Sequence, residues 1–337
     1  MIAALPTRPL GNSDLQLSTV GFGAWAAGGG GWAYGWGPQD DPASIASIRY
    51  ALERGVNWID TAAVYGLGHS EEVLRRALHD VALRERPYVF TKCGMVWDER
   101  DRSAAPRQVL SPQSIRAECE ASLRRLGLER IDLYQIHWPD QSGTPVEESW
   151  ATMVRLVDEG KVRAIGVSNF GVDLLERCEA IRHVDSLQPP LSLLRRQALE
   201  AEVPWCAAHG TGVIVYSPLQ SGLLTDSFSQ TRIDSLAEDD WRRRSADFKP
   251  PRLKRNIALR DALRPIAQRH GTTVSAVAIA WTLAWPGVTG AIVGARSPEQ
   301  VDGWIGAATL ELTLEDLDEI ALAVGRTVAG SGPALPK

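Results

Sequence analysis

The chain has 337 residues, 44% of them hydrophobic and 23% charged, so it can bury a large core in one big domain or two ordinary ones. A formal net charge of -5, with no run of five or six like charges, argues against a nucleic-acid-binding surface. The N-terminus lacks the pattern of a signal peptide, and no stretch approaches the roughly 20 apolar residues of a membrane span, so we expect a cytoplasmic protein without membrane contact.

The first elements along the chain are two short strands around a turn at Leu10–Ser13, which predicts a hairpin ahead of the main fold. Gly21, Gly23 and Ala26 then form a G-x-G-x-x-A pattern similar to a dinucleotide-binding fingerprint. That fingerprint has to open a helix, whereas here a flexible loop follows that is rich in Gly and Trp. The pattern therefore does not indicate a Rossmann domain.

From this point strand-like and helix-like segments alternate to the end of the chain. The predicted strands are Val20–Trp25, Val56–Asp60, Tyr88–Lys92, Ile131–His137, Ala164–Ser168, Ser186–Gln188, Gly212–Ser217 and Gly290–Gly294. The predicted helices are Pro42–Arg54, Ser70–His79, Pro112–Leu126, Pro145–Glu159, Val172–Arg182, Leu194–His209, Thr273–Trp285, Ser297–Ala307 and Thr313–Ala323.

Eight strands with helices between them favour an α/β fold, a (β/α)8 TIM barrel that spans residues 1–337 as one domain. A doubly wound open sheet is the alternative. Leu223–Lys254 fits neither period and is interpreted as a long loop inserted after the seventh strand. The Arg-rich stretch Trp241–Arg255 within and beyond it is interpreted as a solvated loop rather than a binding patch.

The cysteines are scattered, without a CxxC pair or clustered histidines, so the sequence predicts neither disulfides nor a metal site. They are Cys93, Cys119, Cys178 and Cys206.

Polar residues stand where the predicted strands end, which in a (β/α)8 barrel is the face that carries function. They are Asp60, Lys92, His137, Ser168, Asn169, Gln188, Tyr216 and Ser217. Taken singly, Lys92 could simply reach solvent and His137 could be a satisfied core histidine. Six strand ends with polar groups in phase are much harder to explain in that way.

Tyr65 lies on a glycine-rich loop just after Asp60, and the two could form an acid–base pair with Lys92. A phenol is a poor proton donor or acceptor at neutral pH unless its anion is favoured, and a nearby ammonium favours it. Asp60 could supply the counter-charge that an ammonium needs in the barrel mouth. His137 could orient a carbonyl oxygen while Tyr65 delivers the proton.

Carbonyl reduction also needs a source of hydride. Ser168, Asn169 and Gln188 offer donors and acceptors for a carboxamide such as that of nicotinamide, and Tyr216 offers a flat ring for stacking. At the far end, the segment from Gly294 to Gln300 passes from strand into helix with an Arg and a Ser at the helix start, which suits a phosphate monoester.

Six motifs together resemble the aldo-keto reductase superfamily from about Arg8 to Thr313. They are DTAAVYGLGHSE (60–71), VFTKCG (89–94), IDLYQIHWPD (131–140), GVSNF (166–170), VYSPLQSGLLT (215–225) and IVGARSPEQV (292–301). The resemblance implies a (β/α)8 barrel without a Rossmann domain that reduces aldehydes or ketones with NADPH and no metal.

On matching positions the resemblance implies that Tyr65 is the general acid, that Lys92 and Asp60 tune it, and that His137 orients the substrate carbonyl. It implies that Ser168, Asn169 and Gln188 hold the carboxamide and that Tyr216 stacks on the ring. The pyrophosphate would lie along Ser217, Leu219, Ser221 and Gly222, with Arg296 and Gln300 near the adenosine. His137 in place of Glu points to carbonyl rather than carbon–carbon double-bond reduction.

The chain departs from the family pattern at two places. Trp304 stands where relatives commonly have an Asn that contacts adenine, and Gln188 is not followed by the usual aromatic–Asn pair. Arg296 favours NADPH over NADH. The substrate is less visible, because Trp25, Trp36 and the other aromatic residues near them could wall the mouth or merely pack the first loop; the others are Trp32, Tyr34, Trp97 and Trp138.

Two other functions stay open on the sequence alone. One is a Schiff-base aldolase with Lys92 as the nucleophile, and the other is a non-catalytic sensor that holds the nucleotide. The expected partner is a small carbonyl substrate. The oligomeric state is unknown, and nothing in the sequence demands more than a monomer.

Overall fold

The centre of the computed structural model, which describes residues 5–236, 238 and 240–336, is a closed barrel of eight parallel strands. In chain order these are Val20–Gly23, Trp58–Asp60, Tyr88–Cys93, Ile131–Ile136, Val162–Ser168, Ser186–Gln188, Gly212–Val215 and Val288–Gly294. The eighth strand closes the barrel on the first, with Ala291 opposite Val20 and Gly294 opposite Gly23. All eight predicted strands are present, and the (β/α)8 barrel is confirmed over the open sheet.

Twelve α-helices are found among the described residues. They are α1 (Asp41–Glu53), α2 (His69–Ala77), α3 (Pro112–Leu126), α4 (Val146–Asp158), α5 (Val172–Glu179), α6 (Glu202–His209), α7 (Gln230–Asp234), α8 (Arg252–Ala262), α9 (Arg264–Arg269), α10 (Val274–Leu283), α11 (Pro298–Ile305) and α12 (Leu314–Thr327). Helix α3 has the predicted bounds because Ser111 caps its first turn and Gly127, with a φ of +66°, ends it.

The predicted hairpin is also present, with Thr7–Pro9 antiparallel to Gln16–Ser18. The hairpin places Leu10, Leu15 and Leu17, all fully buried, under the barrel in one cluster with Trp58 and Phe90. The hairpin thus closes the end of the barrel opposite the strand C-termini. A second antiparallel pair, Met95–Val96 with Arg107–Gln108, lies in the loop after the third strand.

Two helix predictions are wrong in detail. Helix α2 begins at His69 after the left-handed Gly68, and the Ser70 hydroxyl, expected at the helix start, donates to the Ala24 carbonyl at 2.8 Å. The helix predicted from Leu194 begins only at Glu202. The reason is that the Arg196 amide donates to the Ser331 carbonyl at 3.0 Å, a long-range contact that holds this segment as a loop.

The inserted segment is more structured than predicted. It contains α7 and short 3-10 turns at Trp241–Arg244 and Ala246–Phe248, and α8 begins inside it. Arg242, interpreted as solvated, is only 6% exposed because it forms a 2.6 Å ion pair with Asp240. Helices α8 and α9 were not predicted, since α8 is rich in charged residues and shows little apolar periodicity.

All four cysteines are unpaired and buried. Among the described residues, the helices are all too short or too polar to span a lipid bilayer.

Candidate functional site

A cavity of about 930 Å³ opens at the C-terminal ends of the barrel strands. This is within the size range of pockets that hold a small ligand or cofactor. Every site residue singled out in the sequence lines it except Lys92, which lies beneath the floor and is 1% exposed. The lining residues of that set are Asp60, Tyr65, His137, Ser168, Asn169, Gln188, Tyr216, Ser217, Leu219, Ser221, Gly222, Gly294, Arg296 and Gln300.

The floor of the cavity carries a buried ion pair. Lys92 Nζ donates to Asp60 Oδ1 at 2.5 Å and to the Thr61 carbonyl at 2.9 Å, and it lies 3.5 Å from the Tyr65 hydroxyl. The other Asp60 oxygen accepts from Gln188 Nε2 at 2.9 Å. The strand-end pairing of the second and third strands brings Asp60 and Lys92 together, and the loop after Asp60 returns Tyr65 to the same ammonium.

The protonation states at this floor differ from the sequence-based expectation. Burial is the main cause that raises the pKa of Tyr65 well above its usual value, and the negative charge of Asp60 is the second. The phenol is therefore protonated at neutral pH. Burial lowers the pKa of Lys92, and the Asp60 carboxylate opposes that change.

His137 follows the fourth strand and presents its ring edge-on to Tyr65, with ring centroids 5.7 Å apart. Burial, and then the Lys92 charge, lower its pKa well below the usual value, so the imidazole is neutral. Its Nδ1 atom is buried and has no hydrogen-bond partner among the described residues. A buried polar atom without a partner at a cavity is typical of a group that binds a ligand.

Three strand ends contribute a connected set of amide and hydroxyl groups. Tyr216 donates to Asn169 Oδ1 at 2.8 Å, Asn169 Nδ2 donates to the His137 carbonyl at 3.0 Å, and Ser168 donates to the Gln188 carbonyl at 2.8 Å. Asn169 has a φ of +61°, a conformation that costs free energy in a non-glycine residue. The geometry brings together the groups expected to hold a carboxamide.

The loop after the seventh strand is held in an uncommon conformation. Ser217, Gln220 and Ser221 have left-handed φ values of +57°, +43° and +56°. With Asn169, they account for four of the six non-glycine residues of this kind in the described part of the chain, and all four line the cavity. Such strain concentrates at functional sites, and turns of this type present backbone N–H groups to anions.

The far end of the cavity is formed at the start of α11. Gln300 Oε1 accepts from the backbone N–H of Arg296 at 2.9 Å. Trp304 is 2% exposed, and its indole nitrogen has no hydrogen-bond partner among the residues that the structure describes. Trp304 therefore packs into the wall of the cavity. The Arg296 guanidinium is held by the first loop through Gln39, a contact that sequence reasoning missed.

Aromatic rings form the outer wall. Trp25 is roughly parallel to both Tyr65 and Trp241 at centroid distances of 5.9 Å, and Trp36 meets Trp25 edge-on at 5.2 Å. Of the aromatic residues considered from the sequence, Trp25, Trp32, Tyr34, Trp36 and Trp138 line the cavity and Trp97 does not. Trp241 and Arg242 were missed because the inserted segment has the composition of a loop, and nothing local places it over the barrel.

Comparisons with known proteins agree with one another. A family model described as "Aldo/keto reductase family" matches residues 19–324. The chain is 33% identical over 323 residues to aldo-keto reductase YhdN of Bacillus subtilis. This match covers 95% of this chain and 94% of the relative. It is 36% identical over 319 residues to an Escherichia coli protein named NADH-specific methylglyoxal reductase, covering 92% of this chain and 95% of the relative.

Two solved structures have the same architecture. Glycerol dehydrogenase AKR11B4 from Gluconobacter oxydans superimposes with a TM-score of 0.87 at 36% identity and covers 97% of this chain and 98% of its own. Aldo-keto reductase AKR11C1 from Bacillus halodurans, in its holo form, superimposes with a TM-score of 0.77 at 26% identity. The match covers 95% of this chain and 96% of that chain.

Proposed function

This chain belongs to the aldo/keto reductase family, and from that premise we propose that it reduces an aldehyde or ketone to the alcohol with NADPH, with Tyr65 as the general acid. The observation that carries the proposal is the contact of one buried ammonium, Lys92, with both Asp60 and the Tyr65 hydroxyl on the cavity floor. Members of the family are carbonyl oxidoreductases that use nicotinamide cofactors.

The residues present fit such a cofactor. The amide and hydroxyl groups of Ser168, Asn169 and Gln188 match the donors and acceptors of a carboxamide, and Tyr216 lies beside them. The strained loop Ser217–Gly222 offers backbone N–H groups to a pyrophosphate. Arg296, at the start of α11, would meet a phosphate monoester at the adenosine end. When bound, NADPH supplies the hydride that the carbonyl carbon receives.

The protein's own groups handle the proton. Neutral His137 donates a hydrogen bond to the carbonyl oxygen and orients it toward Tyr65. Tyr65, which holds its proton because of its raised pKa, passes that proton to the oxygen as negative charge develops there. Lys92 then stabilises the phenolate left on Tyr65, and Asp60 keeps the ammonium charged.

The alternatives receive less support. Lys92 is buried and does not line the cavity, so its nitrogen is poorly placed to attack a carbonyl as a Schiff-base nucleophile. A substrate-dependent adduct on Lys92 after borohydride treatment would nevertheless favour an aldolase. Nucleotide binding without turnover on any carbonyl tested would favour a sensor.

The test is a fluorescence titration with NADPH and NADH, followed by turnover assays on small aldehydes. The panel includes 4-nitrobenzaldehyde and methylglyoxal, the latter because one relative is named for it. We expect quenching by the nucleotide, since Trp25, Trp36, Trp241 and Trp304 all line the cavity, together with oxidation of the cofactor in step with loss of the aldehyde. If neither nucleotide binds, the proposed function is wrong.

A further inference from the structure

The Arg296 side chain, which would meet the adenosine phosphate, is already held by the first loop of the barrel. Its Nε donates to Gln39 Oε1 at 2.6 Å, its Nη1 to the Trp36 carbonyl at 3.5 Å, and its Nη2 to the Pro38 carbonyl. All three acceptors are neutral oxygens. A dianionic phosphate is a stronger partner for a guanidinium than an amide or a carbonyl, so a phosphate that reaches Arg296 competes with these contacts.

Gln39 is itself fixed in place, so the contact is not a loose surface pair. Its Nε2 donates to the Arg296 carbonyl at 3.2 Å and to the Ser44 hydroxyl at 3.1 Å, and Ser44 is 3% exposed. The two loops are held side by side because the first and eighth strands pair through Gly23 and Gly294. Gln39 therefore bridges the first and last loops of the barrel at the adenosine end of the cavity.

The neighbouring arginine does not offer the same opportunity. Arg242 is bound by the Asp240 carboxylate through both Nε and Nη2, at 3.0 and 2.6 Å, and its guanidinium lies 4.7 Å from the centroid of the Trp36 ring. A phosphate would have to displace a buried carboxylate there. Arg296, with neutral acceptors only, is the guanidinium that an incoming phosphate engages more readily.

We propose that Gln39 sets the nucleotide preference of this protein, because its amide competes with the 2′-phosphate of NADPH for Arg296. NADH lacks that phosphate and leaves the Gln39–Arg296 contact intact. The wild-type protein then binds NADPH and NADH with dissociation constants within about tenfold of each other, since a hydrogen bond to a charged group accounts for roughly one to two factors of ten. This inference rests on the proposed function, since it requires a nicotinamide nucleotide in the cavity.

The experiment measures dissociation constants for NADPH and NADH by tryptophan fluorescence, without substrate. We expect Gln39→Ala to tighten NADPH binding about tenfold and to change NADH binding less than about twofold. Gln39→Glu, of nearly the same size, places a carboxylate on Arg296 and should weaken NADPH binding about tenfold while NADH is again little affected. Gln16→Ala, at an exposed glutamine in the hairpin at the other end of the barrel, is the control and should change neither.

A further variant ties the effect to Arg296. With Arg296→Ala in place, Gln39→Ala should no longer alter the ratio of the two dissociation constants. If Gln39→Ala weakens NADPH binding, Gln39 orients Arg296 for the phosphate and does not compete with it, and the proposal is wrong. The proposal is also wrong if Gln39→Ala in the otherwise wild-type protein leaves the ratio of the NADPH and NADH dissociation constants unchanged. If neither nucleotide binds the wild-type protein, it is the proposed function that fails.

Discussion

Tyr65 and Lys92 illustrate how a weak acid is made useful by its surroundings. Burial and Asp60 keep the phenol protonated, while the ammonium 3.5 Å away opposes them by favouring the phenolate that forms when the proton is transferred. The pair is thus arranged for proton donation rather than for a standing phenolate.

Tyr65→Phe tests this at the level of one oxygen atom. We expect kcat for aldehyde reduction to fall at least roughly a hundredfold, because general acid catalysis contributes about 10²–10⁴ and the ring itself is kept. The nucleotide dissociation constants should change little. Tyr88→Phe, at a partly buried tyrosine at the start of the third strand, should leave kcat unchanged. Wild-type rates for Tyr65→Phe would show that another group donates the proton.

Asp60→Asn should destabilise the fold in a pH-dependent way. The substitution leaves the Lys92 ammonium buried without its counter-charge, and breaking such a pair costs about 3–5 kcal/mol. The pKa of Lys92, already lowered by burial, falls further below its unfolded value of about 10.4. Between the two values the unfolded chain binds more protons, so the free energy of unfolding rises with pH.

Urea titrations of Asp60→Asn at pH 6 and pH 9 measure this effect. The decrease in the free energy of unfolding, relative to the wild-type protein, should be larger at pH 6 than at pH 9. Asp60→Asn combined with Lys92→Met removes the titrating group, so its stability should not show this added pH dependence. An equal loss at both pH values for Asp60→Asn would mean that Lys92 keeps its proton.

At the scale of an element, helix α3 anchors the end of the strand that carries Lys92. Glu118 on α3 accepts from the Gly94 amide at 2.9 Å and from the Ser114 hydroxyl at 2.9 Å, and it forms no ion pair with any cation in the described part of the chain. Arg125 on the same helix is engaged by the buried Glu71 at 2.6 Å. Burial therefore raises the pKa of Glu118 to about 7.

This carboxyl should make the protein less stable as the pH rises. Because the folded pKa exceeds the unfolded one, the folded state binds more protons between about pH 4.5 and 7, and the free energy of unfolding falls across that window. We expect a loss of about 2 kcal/mol, below the full linkage value because the residue retains some exposure. Glu118→Gln should remove most of this loss in melts at pH 5 and pH 8. Glu120→Gln, at a half-buried residue of the same helix that is ion-paired with Lys161, should not.

The elements that could be predicted are those with a local cause. Helix α3 has its Ser111 cap and Gly127 stop, and the strands are short apolar runs bounded by turns. The prediction of a helix from Leu194 was wrong because a backbone hydrogen bond from Arg196 to Ser331, 135 residues away, holds this segment as a loop. No pattern within a window of a dozen residues contains that information.

The same distinction holds for the site. Polar residues at strand ends can be read from the sequence because the barrel places all strand C-termini on one face. Gln39 and Arg296 lie 257 residues apart, and neither belongs to a periodic pattern, so their contact depends on how two loops pack. The high pKa of Tyr65 was likewise not foreseen, because it depends on how deeply the phenol is buried and on how close the Asp60 carboxylate lies.

At the scale of the whole molecule, contacts between residues far apart in the sequence join the early and late parts of the chain. The eighth strand pairs with the first, and the C-terminal segment binds Arg196 through the carbonyls of Ala329 and Gly332, both at 3.1 Å. The cavity is lined by residues from Gly23 to Trp304, so both halves of the barrel contribute to its wall. A half-barrel would expose unpaired strand edges and lose this site.

We therefore expect the chain to unfold as one cooperative unit. In urea, tryptophan fluorescence and far-UV circular dichroism should give coincident transitions. NADPH at about 100 times its dissociation constant should shift both by the same amount, about 2.7 kcal/mol, because the ligand binds only the closed barrel. Chains of this length often populate intermediates, so the comparison is demanding. Two separated transitions, with only one moved by the nucleotide, would show instead that part of the barrel folds independently of the site.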